Sequence, residues 1–487
     1  MAKFIFNDAM KIRRQTLIKL STLLEEDRLK KELPKLNKII LENTNKRYRM
    51  SIYHEREILA QRIKQYLGLD YTKSKDLELF EIVDKLENIL SNKSEYISKG
   101  KFLDIIKEAC DGCPTKKYYI TDGCRTCVAQ SCINVCPKNA ITKTSNNRMK
   151  IDEEKCINCG LCANSCNYNA IIVQERPCEI ACSLNAIGKS KQSNENTNSL
   201  DSNDFKSDNS PKINKDLCVN CGNCFKECPF GAIESPSQML QLQYSLNNNE
   251  KIVAIFAPSI TGQFGMKVNS LQIKEALYKI GFDNVIEAAV GADEVAKEEA
   301  KIIENSDELV TTSCCPAFVE CIEKHYNDYK KNVSHEYSPM SFLANKIKQE
   351  NKNIKIAFIG PCIAKKQEAF NNELVDYVIT FEELGAMFIA KHVEPSKLEG
   401  ENIQGSDFGW NFAKSGGVAE AVVNNMSKEL KILKMNGLEE ARKTFGLLKK
   451  EKYDLLEGMA CNGGCVGGPG IMIDSKIAMA KLKTKTK

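Results

Sequence analysis

The sequence predicts a multidomain α+β chain. A helical N-terminal segment occupies residues 1–105, a cysteine-rich region 106–240, and an α/β domain 250–487. Three observations carry that division. Cysteine is absent before Cys110, and sixteen of the chain's 22 cysteines then fall between Cys110 and Cys228. Ahead of them, apolar residues recur at helical spacing. After Lys251, short apolar runs alternate with helical patterns, as strands and crossover helices do in a mostly parallel sheet.

A length of 487 residues fits two to four domains, and 42% hydrophobic residues supply ample core. The 69 basic and 64 acidic side chains nearly balance, which gives no case for a nucleic-acid partner. The longest apolar stretches, such as 252–257, are too short to span a bilayer, and the N-terminus lacks the apolar run of a signal peptide. The expectation is a soluble, cytoplasmic protein with no membrane partner.

In the first segment, Leu17, Leu20, Leu23 and Leu24, then Ile39 and Ile40, then Ile58, Leu59 and Ile63 mark short amphipathic helices. Pro34 is expected to break the first pattern and Gly68 to stop a later one. Charges fill the other faces, so the segment reads as a packing or docking unit.

From Cys110 a template repeats. Cys132-Ile-Asn-Val-Cys136-Pro-Lys-Asn-Ala-Ile, Cys162-Ala-Asn-Ser-Cys166-Asn-Tyr-Asn-Ala-Ile, Cys178-Glu-Ile-Ala-Cys182-Ser-Leu-Asn-Ala-Ile and Cys224-Phe-Lys-Glu-Cys228-Pro-Phe-Gly-Ala-Ile share it. Cys124 and Cys127, Cys156 and Cys159, and Cys218 and Cys221 precede three of the copies. Such tight spacing brings several sulfurs of one short loop to one inorganic centre; zinc is the alternative that four His and many Cys leave for a metal. The Cys-x2-Cys-x2-Cys-x3-Cys runs resemble bacterial ferredoxins with two 4Fe–4S clusters, whose fourth cysteine serves the partner cluster. That crossover implies one cluster on Cys124, Cys127, Cys132 and Cys166, a second on Cys156, Cys159, Cys162 and Cys136, and a third on Cys218, Cys221, Cys224 and Cys182. Cys178 and Cys228 remain, and Cys110 and Cys113 complete a fourth set if that cluster exists.

Residues 188–212 are Ser/Asn-rich and nearly free of apolar side chains, and read as a flexible insertion. A weaker boundary is expected near 242–250. Beyond it, 252–256, 354–359 and 376–380 read as buried strands, with 309–312 a short apolar lead into Cys314. Ligands in such folds bind beyond the carboxyl ends of strands, where Cys314, Cys315 and Cys362 fall.

Three cysteine loops stand out: Thr312-Ser313-Cys314-Cys315-Pro316, Gly360-Pro361-Cys362-Ile363-Ala364-Lys365-Lys366-Gln367-Glu368, and Glu457-Gly458-Met459-Ala460-Cys461-Asn462-Gly463-Gly464-Cys465. Together they are similar to the signature loops of iron–iron hydrogenases, over residues 251–470. The resemblance implies an H-cluster, a 4Fe–4S cube joined to a two-iron unit with CO, cyanide and dithiolate ligands. It assigns Cys315, Cys362, Cys461 and Cys465 to the cube, with Cys465 bridging. It gives proton exchange to Cys314 and cyanide contacts to Lys365 and to Ser259 of the Ala257-Pro258-Ser259 segment. Met459 packs on the two-iron unit, and Glu299 and Ser334 relay protons. The relay's outer carboxylate falls at Ile302, leaving Glu298 or Glu304 as substitutes. Phe318, Met340 and Gly360 stand where the family has Trp, Gln and Met. The implied partners are ferredoxin or a similar low-potential carrier and dedicated maturation proteins. The implied reaction is reversible H2 formation, with an iron–sulfur assembly relative or a slow hydrogen sensor as the alternatives.

Overall fold

The computed structural model describes residues 6–42, 48, 51–91, 102–110, 113, 117–188, 210–400 and 402–483. The helix Asp8–Glu25 opens on Asn7, whose side chain accepts from the Met10 N–H at 3.0 Å. It ends well before Pro34, which sits instead in a 3₁₀ turn, Leu33–Lys35; the expected breaker only bends a later pair of short helices. Gly68 does stop Ile52–Tyr66. At φ +86° it lets the chain turn so that its own N–H reaches Gln65 and that of Leu69 reaches Lys64.

The linker expected near 242–250 is largely helical instead. Residues Met239–Asn247 form a helix whose Met239, Leu240 and Leu242 are fully buried, in one core with Leu17 and Leu20 of the first helix and Leu384 and Met387 of Phe381–Ala390. A linker would leave such leucines in water; here they join the N-terminal helices to the C-terminal domain. Most of the 188–212 insertion lies outside the described residues, while Lys212–Ile213 pair with Ile187–Gly188.

The repeated template has a structural cause. The first cysteine of each copy rides on a short helix, Ser131–Asn134, Leu161–Asn164, Pro177–Ile180 or Asn223–Glu227. Three residues after the second cysteine, Asn139, Asn169, Asn185 and Gly231 take positive φ, which Asn and Gly tolerate best. That turn aims the next N–H at the sulfur: Ala140, Ala170, Ala186 and Ala232 donate to Cys136, Cys166, Cys182 and Cys228 at 3.2–3.4 Å. The following Ile141, Ile171, Ile187 and Ile233 are buried.

The C-terminal domain holds two parallel sheets. One runs Asn284–Glu287, Ile252–Phe256, Lys355–Ile359, Tyr377–Ile379 in spatial order; the other runs Val310–Thr311, Leu455–Met459, Ile432–Asn436. Ser259, Cys314, Cys315, Cys362 and Cys461 all follow carboxyl ends of these strands. No helix among the described residues is long and apolar enough to cross a membrane.

Candidate metal centre

Cys315 caps the helix Pro316–His325, Cys362 stands just ahead of Ala364–Asn372, and Cys461 and Cys465 flank the glycine turn after Leu455–Met459. Gly463 and Gly464 both take positive φ, and a Cβ on Gly464 would sit 2.6 Å from the Ser415 nitrogen. Only glycine lets the loop carrying Cys465 approach that backbone. Burial pushes the Cys362 thiol up to about 11 and Cys465 to about 12, and raises Cys315 and Cys461 as well. Mutual repulsion adds to it: Cys461 feels Cys362, Cys315 and Cys465. All four residues keep partial accessible surface, and Cys465 lines the cavity described next. Four thiolates gathered there repel one another unless a metal centre neutralises them. The donor set therefore suits an iron–sulfur cube. Among the described residues no three His, Cys, Asp or Glu groups are placed to hold a single ion.

Beside the four thiols lies a cavity of about 70 Å³, lined by Pro258, Ser259, Cys314, Met340, Phe358, Lys365, Phe412, Met459 and Cys465, among others. The Ser259 hydroxyl is buried and has no hydrogen-bond partner, a group aimed at something the polypeptide does not supply. Burial opposes the charge on Lys365, but Glu368 outweighs it and holds the ammonium above its ordinary pKa. Lys365 Nζ donates to Glu368 Oε2 at 2.6 Å, and Ser341 and Ser338 donate to the other carboxylate oxygen. A buried cation and a buried hydroxyl facing one apolar cavity fit a small unit with anionic, hydrogen-bond-accepting ligands. The two substituted positions reshape the wall. A Cβ on Gly360 would meet the Phe358 ring at 2.6 Å, so Phe358 fills the volume that a longer side chain would take, and Met340 presents no donor.

Cys314 lies at this cavity, its thiol raised by burial first and then by the nearby Glu299 charge. Glu299 itself is buried and raised to about 7, by burial above all. Its Oε1 accepts from the Ser313 N–H at 3.3 Å and lies 3.5 Å from the Ser313 hydroxyl oxygen, while Oε2 has no partner. The structure thus brings Cys314 and Glu299 within electrostatic reach of each other. Ser334 is buried, and its hydroxyl accepts from the Glu336 N–H at 3.3 Å; the serine bonded to Glu299 is Ser313. Glu298 is partly exposed and pairs with Lys301, and Glu304 is exposed. The acidic groups that act on Glu299 are Glu336 and Glu457. Sequence reasoning passed over Ser313, although it sits beside Cys314, because its partner is fourteen residues away. It also passed over Glu457, whose carboxylate accepts from the Gly416 and Ala419 N–H groups and pins the loop bearing Phe412.

The accessory cysteines fall into four groups of mutually interacting thiols. Cys132 interacts with Cys124 and Cys166, and Cys162 with Cys156 and Cys136. Cys224 interacts with Cys221, Cys218 and Cys182, and Cys178 with Cys228, Cys110 and Cys113. Burial raises Cys178 and Cys221 to about 12. The third set adjoins the cube, since Cys221 interacts with Cys362 and Cys461, and it adjoins the fourth through Cys178.

Comparison with known proteins agrees with this arrangement. The profile of the iron only hydrogenase large subunit, C-terminal domain, matches residues 250–469, a 4Fe-4S binding domain matches 211–234, and a 4Fe-4S dicluster domain matches 123–170. The chain is 27% identical to iron hydrogenase 1 of Clostridium pasteurianum, over 66% of this chain and 64% of that one. It is 26% identical to the NADP-reducing hydrogenase subunit HndD of Solidesulfovibrio fructosivorans, over 52% and 56%. It is also 23% identical to a probable cytosolic Fe-S cluster assembly factor of Caenorhabditis elegans, over 54% and 72%. The chain spans less than two thirds of the length of the first two. With its three cysteine loops, its cavity and these matches, the chain is an iron–iron hydrogenase-like protein carrying ferredoxin-like 4Fe–4S domains in its N-terminal half.

Proposed function

We propose that this chain is a hydrogenase that interconverts two protons and two electrons with H2. The observation that carries the reading is the cavity beside the four thiols, where an unpartnered Ser259 hydroxyl, the Lys365 ammonium and Cys314 converge. An assembly relative that only holds clusters has no use for a proton-exchanging thiol there.

Cys315, Cys362, Cys461 and Cys465 would hold a cube, with Cys465 reaching the cavity. A two-iron unit with CO, cyanide and dithiolate ligands would supply the redox chemistry at which H2 forms or splits. The chain's own work is orientation and proton movement. Lys365, fixed by Glu368, and Ser259 donate hydrogen bonds that orient a unit with few covalent ties. Pro258, Phe358, Met459 and Phe412 exclude water. The Cys314 thiol is neutral at working pH and gives or takes a proton at its sulfur. Glu299, raised to about 7, is near its own midpoint at neutral pH and so can both take up a proton and release one toward solvent. Ser313 links Glu299 to the Glu336 segment, since its hydroxyl donates to the Glu336 carbonyl at 2.7 Å. We assign the exit to Glu336, half-buried, in place of the missing carboxylate at Ile302. Electrons would arrive from ferredoxin or a similar low-potential carrier through the accessory sets, the one nearest the cube being Cys182, Cys218, Cys221 and Cys224.

Infrared spectroscopy of protein made with hydrogenase maturation proteins tests the reading. Iron-bound CO and cyanide bands are expected where protein is silent. Their absence, beside a control hydrogenase matured in parallel, refutes it and favours the assembly relative.

A further inference from the structure

The N-terminal helices, which lie outside residues 123–170, 211–234 and 250–469, touch the two loops that reach the fourth cysteine set from opposite ends of the region. Arg62, buried on Ile52–Tyr66, donates through Nη2 to the carbonyls of Phe230 at 2.9 Å and Gly231 at 2.8 Å. Those residues form the turn just after Cys228. About two turns earlier on the same helix, His54 Nε2 donates to the Glu108 carbonyl at 2.8 Å. Tyr71 donates to Glu108 Oε2 at 2.9 Å and accepts from the Lys107 N–H at 3.2 Å. Lys107 and Glu108 lead directly into Cys110. The two loops are themselves joined, through Asp104–Ile105 against Ile233–Glu234 and the Ile106 N–H on the Ala232 carbonyl at 2.7 Å. Ile58 and Tyr71 share a small core with Ile106, Ala109 and Ala232, against which Cys110 and Cys228 pack.

The charge is organised as well. Glu234 receives Arg13 at 3.4 Å and Arg62 at 3.7 Å, while Arg13 and Arg14 also reach Glu382. Three guanidinium groups therefore face two carboxylates beside the turn. The Arg13 guanidinium lies 4.0 Å over the ring of Phe225, next to Cys224. Reduction adds negative charge to a cluster, and a buried cation nearby favours the reduced form.

Resting on the reading of Cys110, Cys113, Cys178 and Cys228 as a 4Fe–4S site, we propose that the N-terminal helical segment is the seat of that cluster. Arg62, His54 and Tyr71 act as positioning residues for its outer ligand loops, and Arg62 raises its reduction potential. The helices thereby couple the packing of residues 52–71 to one step of the electron route.

The test is an anaerobic reductive titration of the full chain followed by electron paramagnetic resonance, with iron counted per chain. In Arg62→Gln, one accessory signal is expected to move to lower potential, or to vanish with about four irons, while the other signals hold. Arg62→Lys keeps the cation and is expected to return that signal toward its original potential. Tyr71→Phe deletes one hydroxyl and is expected to shift the same signal. Full iron with every accessory potential unchanged in Arg62→Gln and Tyr71→Phe overturns the proposal. If Arg62→Gln loses all clusters together, Tyr71→Phe decides, and an unchanged titration there overturns it. Cys178→Ala separates the underlying reading: iron and signals unaltered in that variant mean that the four cysteines hold no cluster. The infrared bands of the catalytic unit report on the hydrogenase reading independently.

Discussion

Replacing Glu299 by Gln isolates the group on which proton delivery turns. Its carboxyl sits at about 7 instead of the ordinary 4.5, chiefly because burial disfavours the anion. The 2.5-unit difference corresponds to about 3 kcal/mol at 1.36 kcal/mol per unit. The sign follows from which state holds the proton. The folded chain keeps it up to about pH 7, whereas the unfolded chain releases it near 4.5. The stabilisation is therefore complete below 4.5 and lost as pH rises through 7. A neutral amide of the same shape does not titrate. The stability gap between Glu299→Gln and the parent is expected to widen in favour of the variant by about 3 kcal/mol from pH 4.5 to beyond 7, read by anaerobic denaturant unfolding across that range. Over the same series H2 turnover is expected to fall by about 10²–10⁴, with cluster signals intact. Parallel stability profiles would refute the buried, proton-holding carboxyl, and turnover within a few-fold of the parent would remove Glu299 from the path.

Other outcomes can be checked alongside. Cys314→Ser is expected to keep its iron and lose H2 production by at least about 10², measured by gas chromatography with a chemical reductant; unchanged turnover removes the thiol from the relay. Glu336→Gln is expected to slow turnover where Glu304→Gln does not, because Glu336 acts on Glu299 and Glu304 is exposed; equal rates in the two variants would return the exit to another group. Gly458→Ala would put a Cβ 2.2 Å from the Phe318 ring, so unfolding stability is expected to fall by about 1–3 kcal/mol through overpacking, read as a lower melting midpoint; pairing it with Phe318→Leu is expected to recover part of the loss.

The sequence carried its own account of the metal chemistry because clusters are built from short loops. Sulfurs that must meet one centre within a few residues leave a spacing that survives in one dimension, and so do the turn and donor positions that follow. The Asn-Ala-Ile tail of the template is one case: left-handed turn, N–H to sulfur, buried anchor. The strands at 252–256, 355–359 and 377–379 were legible because each carries an unbroken run of at least three apolar residues. Asn284–Glu287, Ile432–Asn436 and Leu455–Met459 were not, because polar ends, a lysine and a glycine break their runs. Contacts between distant segments leave no such trace. Ser313 against Glu299, Glu368 and Ser341 around Lys365, and Arg62 on the Cys228 turn each join residues that only chain folding makes neighbours. Residues 242–250 read as a boundary because Gln, Ser and Asn dilute the leucines there, yet the helix Met239–Asn247 that overlaps them is buried where N-terminal and C-terminal helices close over it. Local geometry can be encoded locally. Which loops share a cluster, which serine meets the carboxyl and which helix covers a ligand depend on how separate surfaces pack, and that is a property of the assembled fold.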